Sequence, residues 1–218
     1  MCDNVVFVGG CATGLLLTQE RPDRIRITED VDIVAQALIH DYHAIEKRVR
    51  AQGFSNDVRP GAPVCRWVYK SVTLDLMPTV KDILGFANRW YPLALETAVP
   101  VQLASGLHIR LIAAPVFIAT KLEAFKDRGK DASGQADFLG SHDLEDIITV
   151  ADRRPELLVE CRTMPAELRI YLADEFSMLF ATADFEVSLA GHLPGDAASQ
   201  QRLDRLKATL REFTNLHA

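Results

Sequence analysis

The sequence predicts an α+β protein. Short apolar runs with β-like alternation fill the chain up to about residue 114, and helical periodicity takes over after Pro115. No Gly/Ser linker, low-complexity tract or internal repeat separates the two parts. Residues 1–114 are therefore expected to form a core with a mixed β-sheet and flanking helices. Residues 115–218 are expected to form a helical region packed on it as part of a single compact unit. With 218 residues and 48% hydrophobic content, the chain can bury one substantial core.

Taken in order, Val5 to Val8 is an apolar strand that Gly9-Gly10 ends. Cys11 to Gln19 reads as a short apolar helix broken by Arg21-Pro22-Asp23, and a second strand is expected from Ile27 to Val34. Ala35 to Gln52 carries Ala37, Leu38, Tyr42, Ile45 and Val49 near helical spacing, with Gly53 closing the helix. After turn chemistry in Asn56 to Pro63, Val64 to Tyr69 and Ser71 to Met77 make a hairpin or adjacent pair, and Pro78 stops the second strand. Lys81 to Pro92 is read as a short helix. Strands Thr97 to Leu103 and Leu107 to Ala113 follow on either side of Ser105-Gly106. Helices are expected at Val116 to Asp127, Asp143 to Asp152, Glu156 to Cys161, Ala166 to Ala181 and Gln200 to Leu216. The polar, glycine-containing stretch Gly129 to Gly140 is expected to be a mobile loop.

A net charge of −6 argues against a general electrostatic grip on nucleic acid or an anionic membrane, so an RNA partner would need a local basic patch. Cys2, Cys11, Cys65 and Cys161 form no CxxC pair and cluster with no histidine, which argues against zinc and a disulfide framework and fits a reducing cytosol. Val5 to Leu17 imitates a signal-peptide core, but Asp3 stands where a basic start belongs. No apolar segment approaches the roughly 20 residues that span a bilayer, so no membrane partner is expected.

The chemistry concentrates in acids. Asp30 and Asp32 lie two apart on the expected strand, so both carboxylates leave one face while Val31 and Ile33 leave the other. Strands disfavour aspartate, and a divalent cation would compensate for the pair. Asp75, in Val72-Thr73-Leu74-Asp75-Leu76, is the third acid, with Asp82 or Asp57 as alternatives if the strand register differs. The Gly9-Gly10 turn can lie close to a phosphate chain. Three carboxylates with such a turn are the minimal apparatus for metal-assisted phosphoryl or nucleotidyl transfer. Lys121 sits on a helix among Ile118, Leu122 and Phe125, so its stem can pack while its ammonium either reaches a phosphate or stays solvated. Asp143 and Asp146 begin a helix, where the dipole favours acids without any function. The six histidines show no metal-ligand spacing, and His142 is the one beside Asp143. Trp67, Tyr69 and Trp90 are either base-stacking groups or core and rim aromatics.

Gly9-Gly10, Asp30-Val31-Asp32 and Asp75 resemble the motif of the nucleotidyltransferase superfamily typified by DNA polymerase β: a glycine pair, Asp-x-Asp, then a distal Asp. Within it, Arg26-Ile27-Thr28-Glu29-Asp30-Val31-Asp32 is similar to the Arg-x-Thr-x-Asp-x-Asp of the AbiEii group, several of which act as type IV toxins. Lys121-Leu122-Glu123-Ala124 with Arg128, and then His142-Asp143-Leu144-Glu145-Asp146, look like that group's Lys-Leu and Asp-rich helices. The resemblance covers roughly residues 4 to 152 and implies a nucleotidyltransferase fold and activity. It implies Asp30, Asp32 and Asp75 as ligands of Mg2+ or Mn2+, with Asp75 helping to activate a hydroxyl acceptor. Gly9, Gly10, Thr28, Lys121 and Asp143 are implied around the NTP. The acceptor would be RNA or protein, as for a toxin with a cognate antitoxin. A small hydroxylated acceptor of the aminoglycoside kind and a non-catalytic nucleotide-binding or partner module are the alternatives.

Overall fold

A computed structural model describes residues 5–19, 26, 28–35 and 39–217, the side chains of 39–41 excepted. Ile27, Ala37, Leu38 and the expected break at Arg21-Pro22-Asp23 lie outside the described residues. The fold is α+β. The described residues divide into two compact units, one of 5–12, 26, 28–35 and 39–113, the other of 13–19 and 114–217.

The first unit is built on a seven-stranded mixed sheet. Its strands are β1 (Val5–Val8), β2 (Asp30–Ala35), β3 (Ser55–Asn56), β4 (Arg66–Tyr69), β5 (Val72–Pro78), β6 (Val99–Gln102) and β7 (His108–Leu111), in the spatial order β3-β4-β5-β2-β1-β7-β6. The pairs β2/β5 and β1/β7 are parallel and the rest antiparallel. Four apolar residues in a row make β1 an inner strand, because neighbours flank it on both edges and its side chains are wanted on both faces. On one face Val5, Ile33, Ala35, Trp67, Leu74 and Leu76 pack against Tyr42, Ile45 and Val49 of helix α2 (Ile39–Ala51). The Tyr42 hydroxyl donates to the Leu76 carbonyl at 2.7 Å, and burial pushes its pKa well above the usual tyrosine value. The opposite face carries the acids.

Several boundaries differ from the pattern-based expectation. Helix α1 starts at the glycines themselves (Gly9–Thr13) and tightens into a 3-10 turn ending at Leu16, rather than running to Gln19. Ala35 extends β2 instead of opening the next helix, and Pro78 is the last residue of β5, opposite Ala35. The single helix expected over Lys81 to Pro92 is two: the short α3 (Lys81–Leu84), and α4 (Tyr91–Thr97), which runs on to the residue where the next strand was expected to start. Pro92 falls in the first turn of α4, a position proline tolerates.

The second unit is helical: α5 (Ala114–Arg128), α6 (His142–Arg153), α7 (Leu157–Arg162), α8 (Ala166–Phe180), α9 (Ala183–Ser188), α10 (Ala197–Gln201) and α11 (Leu203–Glu212). α5 is its central element, with every residue from Ala114 to Leu122 buried. α6 is amphipathic and capped by the Ser141 hydroxyl, which accepts from the Leu144 N–H. Residues 13–19 join this unit through Arg154, whose guanidinium donates to the Leu16 carbonyl at 2.6 Å, and Thr18, which donates to Glu156 at 2.8 Å. The stretch expected as a mobile loop is turned by Asp131, which accepts from Ser133 and Gln135, and is closed by a bridge between Lys130 and Ala136. Among the described residues, no helix is long and apolar enough to cross a membrane.

Candidate metal centre

Strand register assembles the acid cluster. Asp32 on β2 lies directly opposite Asp75 on β5, Asp75 lies opposite Arg66 on β4, and Asp32 lies opposite Val8 on β1. Directly opposed residues share a face, so Arg66, Asp75, Asp32 and Val8 form one row across four strands. Asp30, two residues before Asp32, stands on the same face beside that row. The three aspartates each present a carboxylate oxygen, and these oxygens lie within 4.8 Å of one another. A donor set of carboxylate oxygens alone suits a hard cation such as Mg2+ or Mn2+ rather than zinc.

The glycine turn meets this cluster. Gly9 has φ +64, a left-handed conformation, and a Cβ added there would fall on the Asp32 side chain. Gly10 follows it in the first turn of α1, and Cys11 donates its S–H to the Val8 carbonyl at 3.1 Å. Thr28 is half-buried just ahead of β2.

Arg66 is the residue that no motif singled out. Its Nε donates to Asp75 Oδ1 at 2.8 Å and its Nη2 to Asp75 Oδ2 at 2.7 Å, while Nη2 also reaches Asp30 Oδ2 at 3.3 Å. The two-oxygen grip is the strong, oriented form of an Arg–carboxylate pair. Hydrogen bonding to Asp75 pushes the guanidinium pKa up further still. Burial, and then the Asp75 charge, push the neighbouring Cys65 thiol up to about 12. Arg66 was in principle legible. The two strands were expected as a hairpin with Ser71 opening the second; the observed two-residue connection, Lys70-Ser71, sets Tyr69 opposite Val72 and hence Arg66 opposite Asp75.

Of the alternatives for the third acid, Asp57 is held by Arg59 in an exposed turn and Asp82 is exposed in the first turn of α3. Trp67 is fully buried in the sheet core, with Arg50 over its ring at 5.0 Å.

Lys121 and Asp143 belong to the helical unit, where they meet each other. Lys121 is buried on α5 and its Nζ lies 3.1 Å from Asp143 Oδ1 and 2.6 Å from Asp146 Oδ2, acids spaced i,i+3 on α6. Arg128 adds a second grip on Asp143, at 2.8 and 2.9 Å. Burial alone would raise the Asp143 pKa, but Arg128 and Lys121 together outweigh it and hold the carboxyl below the usual range. His142 is exposed and pairs with Glu145.

No protein-family model matches the chain, and no curated protein matches it in sequence. Among solved structures, a crystal structure of a "putative nucleotidyltransferase" from H. pylori matches at 16% identity over 98% of this chain and 86% of that chain, with a TM-score of 0.43. A likeness this distant carries no weight for activity, and the functional reading rests on the carboxylates themselves.

Proposed function

We propose that this chain is a Mg2+-dependent nucleotidyltransferase, able to use Mn2+, that moves an NMP from an NTP to a hydroxyl acceptor and releases pyrophosphate. The observation that carries the proposal is the opposition of Asp32 and Asp75 across parallel strands with Asp30 beside them, three carboxylates converging on one point. These three would hold the cation. When bound, the cation supplies charge neutralisation at the phosphates and lowers the pKa of an adjacent hydroxyl.

The chain's own groups do the rest. The acceptor oxygen bonds to the α-phosphorus as the bond to the α–β bridging oxygen breaks, and that electron pair leaves with pyrophosphate. The hydroxyl proton passes to Asp75, through lone pairs that the Arg66 contacts leave free. Gly9, lacking a Cβ, lets the Asp32 carboxylate and the turn backbone approach one another, and with Gly10 and Thr28 it would face the nucleotide. Lys121 and Asp143 enter from the family resemblance. A phosphate at Lys121 would have to compete with the two aspartates already on that ammonium.

The AbiEii-type toxin role, an RNA or protein acceptor and a cognate antitoxin belong to the same proposal and rest on Arg26, Thr28, Asp30 and Asp32 in their spacing and on the Lys121-Leu122 segment, while a cytoplasmic setting rests on cysteines with no CxxC pair. A small cationic acceptor, as in an aminoglycoside adenylyltransferase, is the second reading, favoured by the net charge of −6. Incubation with each α-labelled NTP, Mg2+ and a total-RNA or lysate acceptor, followed by size separation, tests all of these. Label in RNA or protein supports the first reading, and label in a small molecule supports the second. NTP binding without transfer supports a non-catalytic binding module.

A further inference from the structure

Arg66 occupies the position of a cation within the acid cluster, and its role can be argued on the metal-dependent reading above. We propose that Arg66 is the cluster's internal counter-cation. It holds Asp75 in place whether or not metal is bound, and releases Asp30 when a divalent cation enters. It thereby sets the metal affinity of the site.

Three observations carry this. First, the guanidinium bridges two of the three carboxylates, Asp75 through both oxygens and Asp30 through one. Second, the two contacts are unequal. The Asp75 contacts are short and Asp75 is largely buried, whereas the Asp30 contact is 3.3 Å long and the Asp30 side chain is 36% exposed. Asp30 is thus the ligand that can leave Arg66 at little cost. Third, the guanidinium stands among the carboxylate oxygens that a divalent cation would also have to approach, so the two cations compete for the same oxygens. Arg66 therefore acts as a positioning residue towards Asp75 and as a competitor of the metal towards Asp30, and both actions follow from its place opposite Asp75 in the β4–β5 register.

The test is Mn2+ binding without nucleotide, read as free Mn2+ by electron paramagnetic resonance, together with unfolding in EDTA. Arg66→Gln removes a positive charge a few Å from the ion and should tighten Mn2+ binding at least about fivefold. It should also lower the melting temperature in EDTA, with Mn2+ restoring more of it than in the wild type. Arg66→Lys keeps the charge but not the two-oxygen fork, so its Mn2+ affinity should stay within about threefold of wild type. If Arg66→Gln does not fold in EDTA, folding restored by Mn2+ supports the proposal, and failure to fold at saturating Mn2+ overturns it in favour of a purely structural role. Equal or weaker Mn2+ binding by a folded Arg66→Gln also overturns it, and in that case leaves the metal reading standing. A wild-type protein that takes up no Mn2+ contradicts the metal reading and removes this proposal with it.

Discussion

Gly9 and Asp32 approach so closely that no side chain fits between them. A Cβ at Gly9 would overlap the Asp32 carboxylate and lie 2.7 Å from the Asp32 Cβ. Gly9→Ala therefore meets two penalties, the left-handed backbone, at about 1–3 kcal/mol, and the displacement of Asp32. We expect a clear loss of thermal stability and of divalent-ion binding. Gly195→Ala, where a Cβ meets nothing within 4 Å, should change neither. Combining Gly9→Ala with Asp32→Ala should cost less than the sum of the single changes, because the overlap with the carboxylate disappears and only the close approach of the two Cβ atoms remains. Strict additivity in urea unfolding would contradict this account of the turn.

The acids should differ in what they do for stability. Asp75→Asn leaves Arg66 without its two-oxygen partner and should cost about 1–3 kcal/mol, or roughly 2–12 °C at this size. Asp30→Ala gives up only the long Arg66 contact and relieves the repulsion between neighbouring carboxylates, so in EDTA its melting temperature should stay close to the wild type's. A destabilisation by Asp30→Ala as large as that by Asp75→Asn would show the cluster to be a structural ion-pair network instead.

Lys121 lies buried between Asp143 and Asp146. Lys121→Met leaves buried carboxylates short of their counter-charge and should cost about 3–5 kcal/mol. If Lys121 also contacts a triphosphate, the folded variant should lose about tenfold to a hundredfold in NTP affinity or kcat/KM, the size of one charge-assisted contact. Lys130→Ala, in the exposed turn, should change neither quantity. A Lys121 variant that is destabilised but binds NTP normally would assign the residue to the fold alone.

Asp143 gives the helical unit an acid-sensitive contact. Its folded pKa lies below its unfolded one, so its contribution is present in full above the unfolded carboxylate value of about 3.9 and is lost as the pH falls through the lower, folded value. Asp143→Asn should lower the melting temperature at pH 7 yet lose less on going from pH 5 to pH 3 than the wild type does. Parallel pH profiles for the two proteins would contradict the assignment.

Alternation and spacing made the sheet unit and its acids legible. Asp30 and Asp32 share a face because they are two residues apart, and Asp75 joins them because β5 runs parallel to β2 in matching register. Long amphipathic helices such as α6 were equally visible. α4 was hidden because Pro92 reads as a stop although it falls in a first turn. The short helices α9 and α10 carry too few turns for periodicity to show. The two-aspartate grip on Lys121 depends on how α6 packs against α5, a tertiary fact that neither helix's own pattern contains.

The most direct measurement of the central claim, that Asp30, Asp32 and Asp75 form a Mg2+-dependent transfer centre, is label transfer from α-labelled NTP by the wild type and by Asp32→Asn, each with Mg2+ and with EDTA. Labelled acceptor and released pyrophosphate are expected from the wild type with Mg2+ alone, with a loss of at least about a hundredfold in the variant and in EDTA. Transfer by Asp32→Asn at the wild-type rate, or transfer undiminished in EDTA, would contradict it.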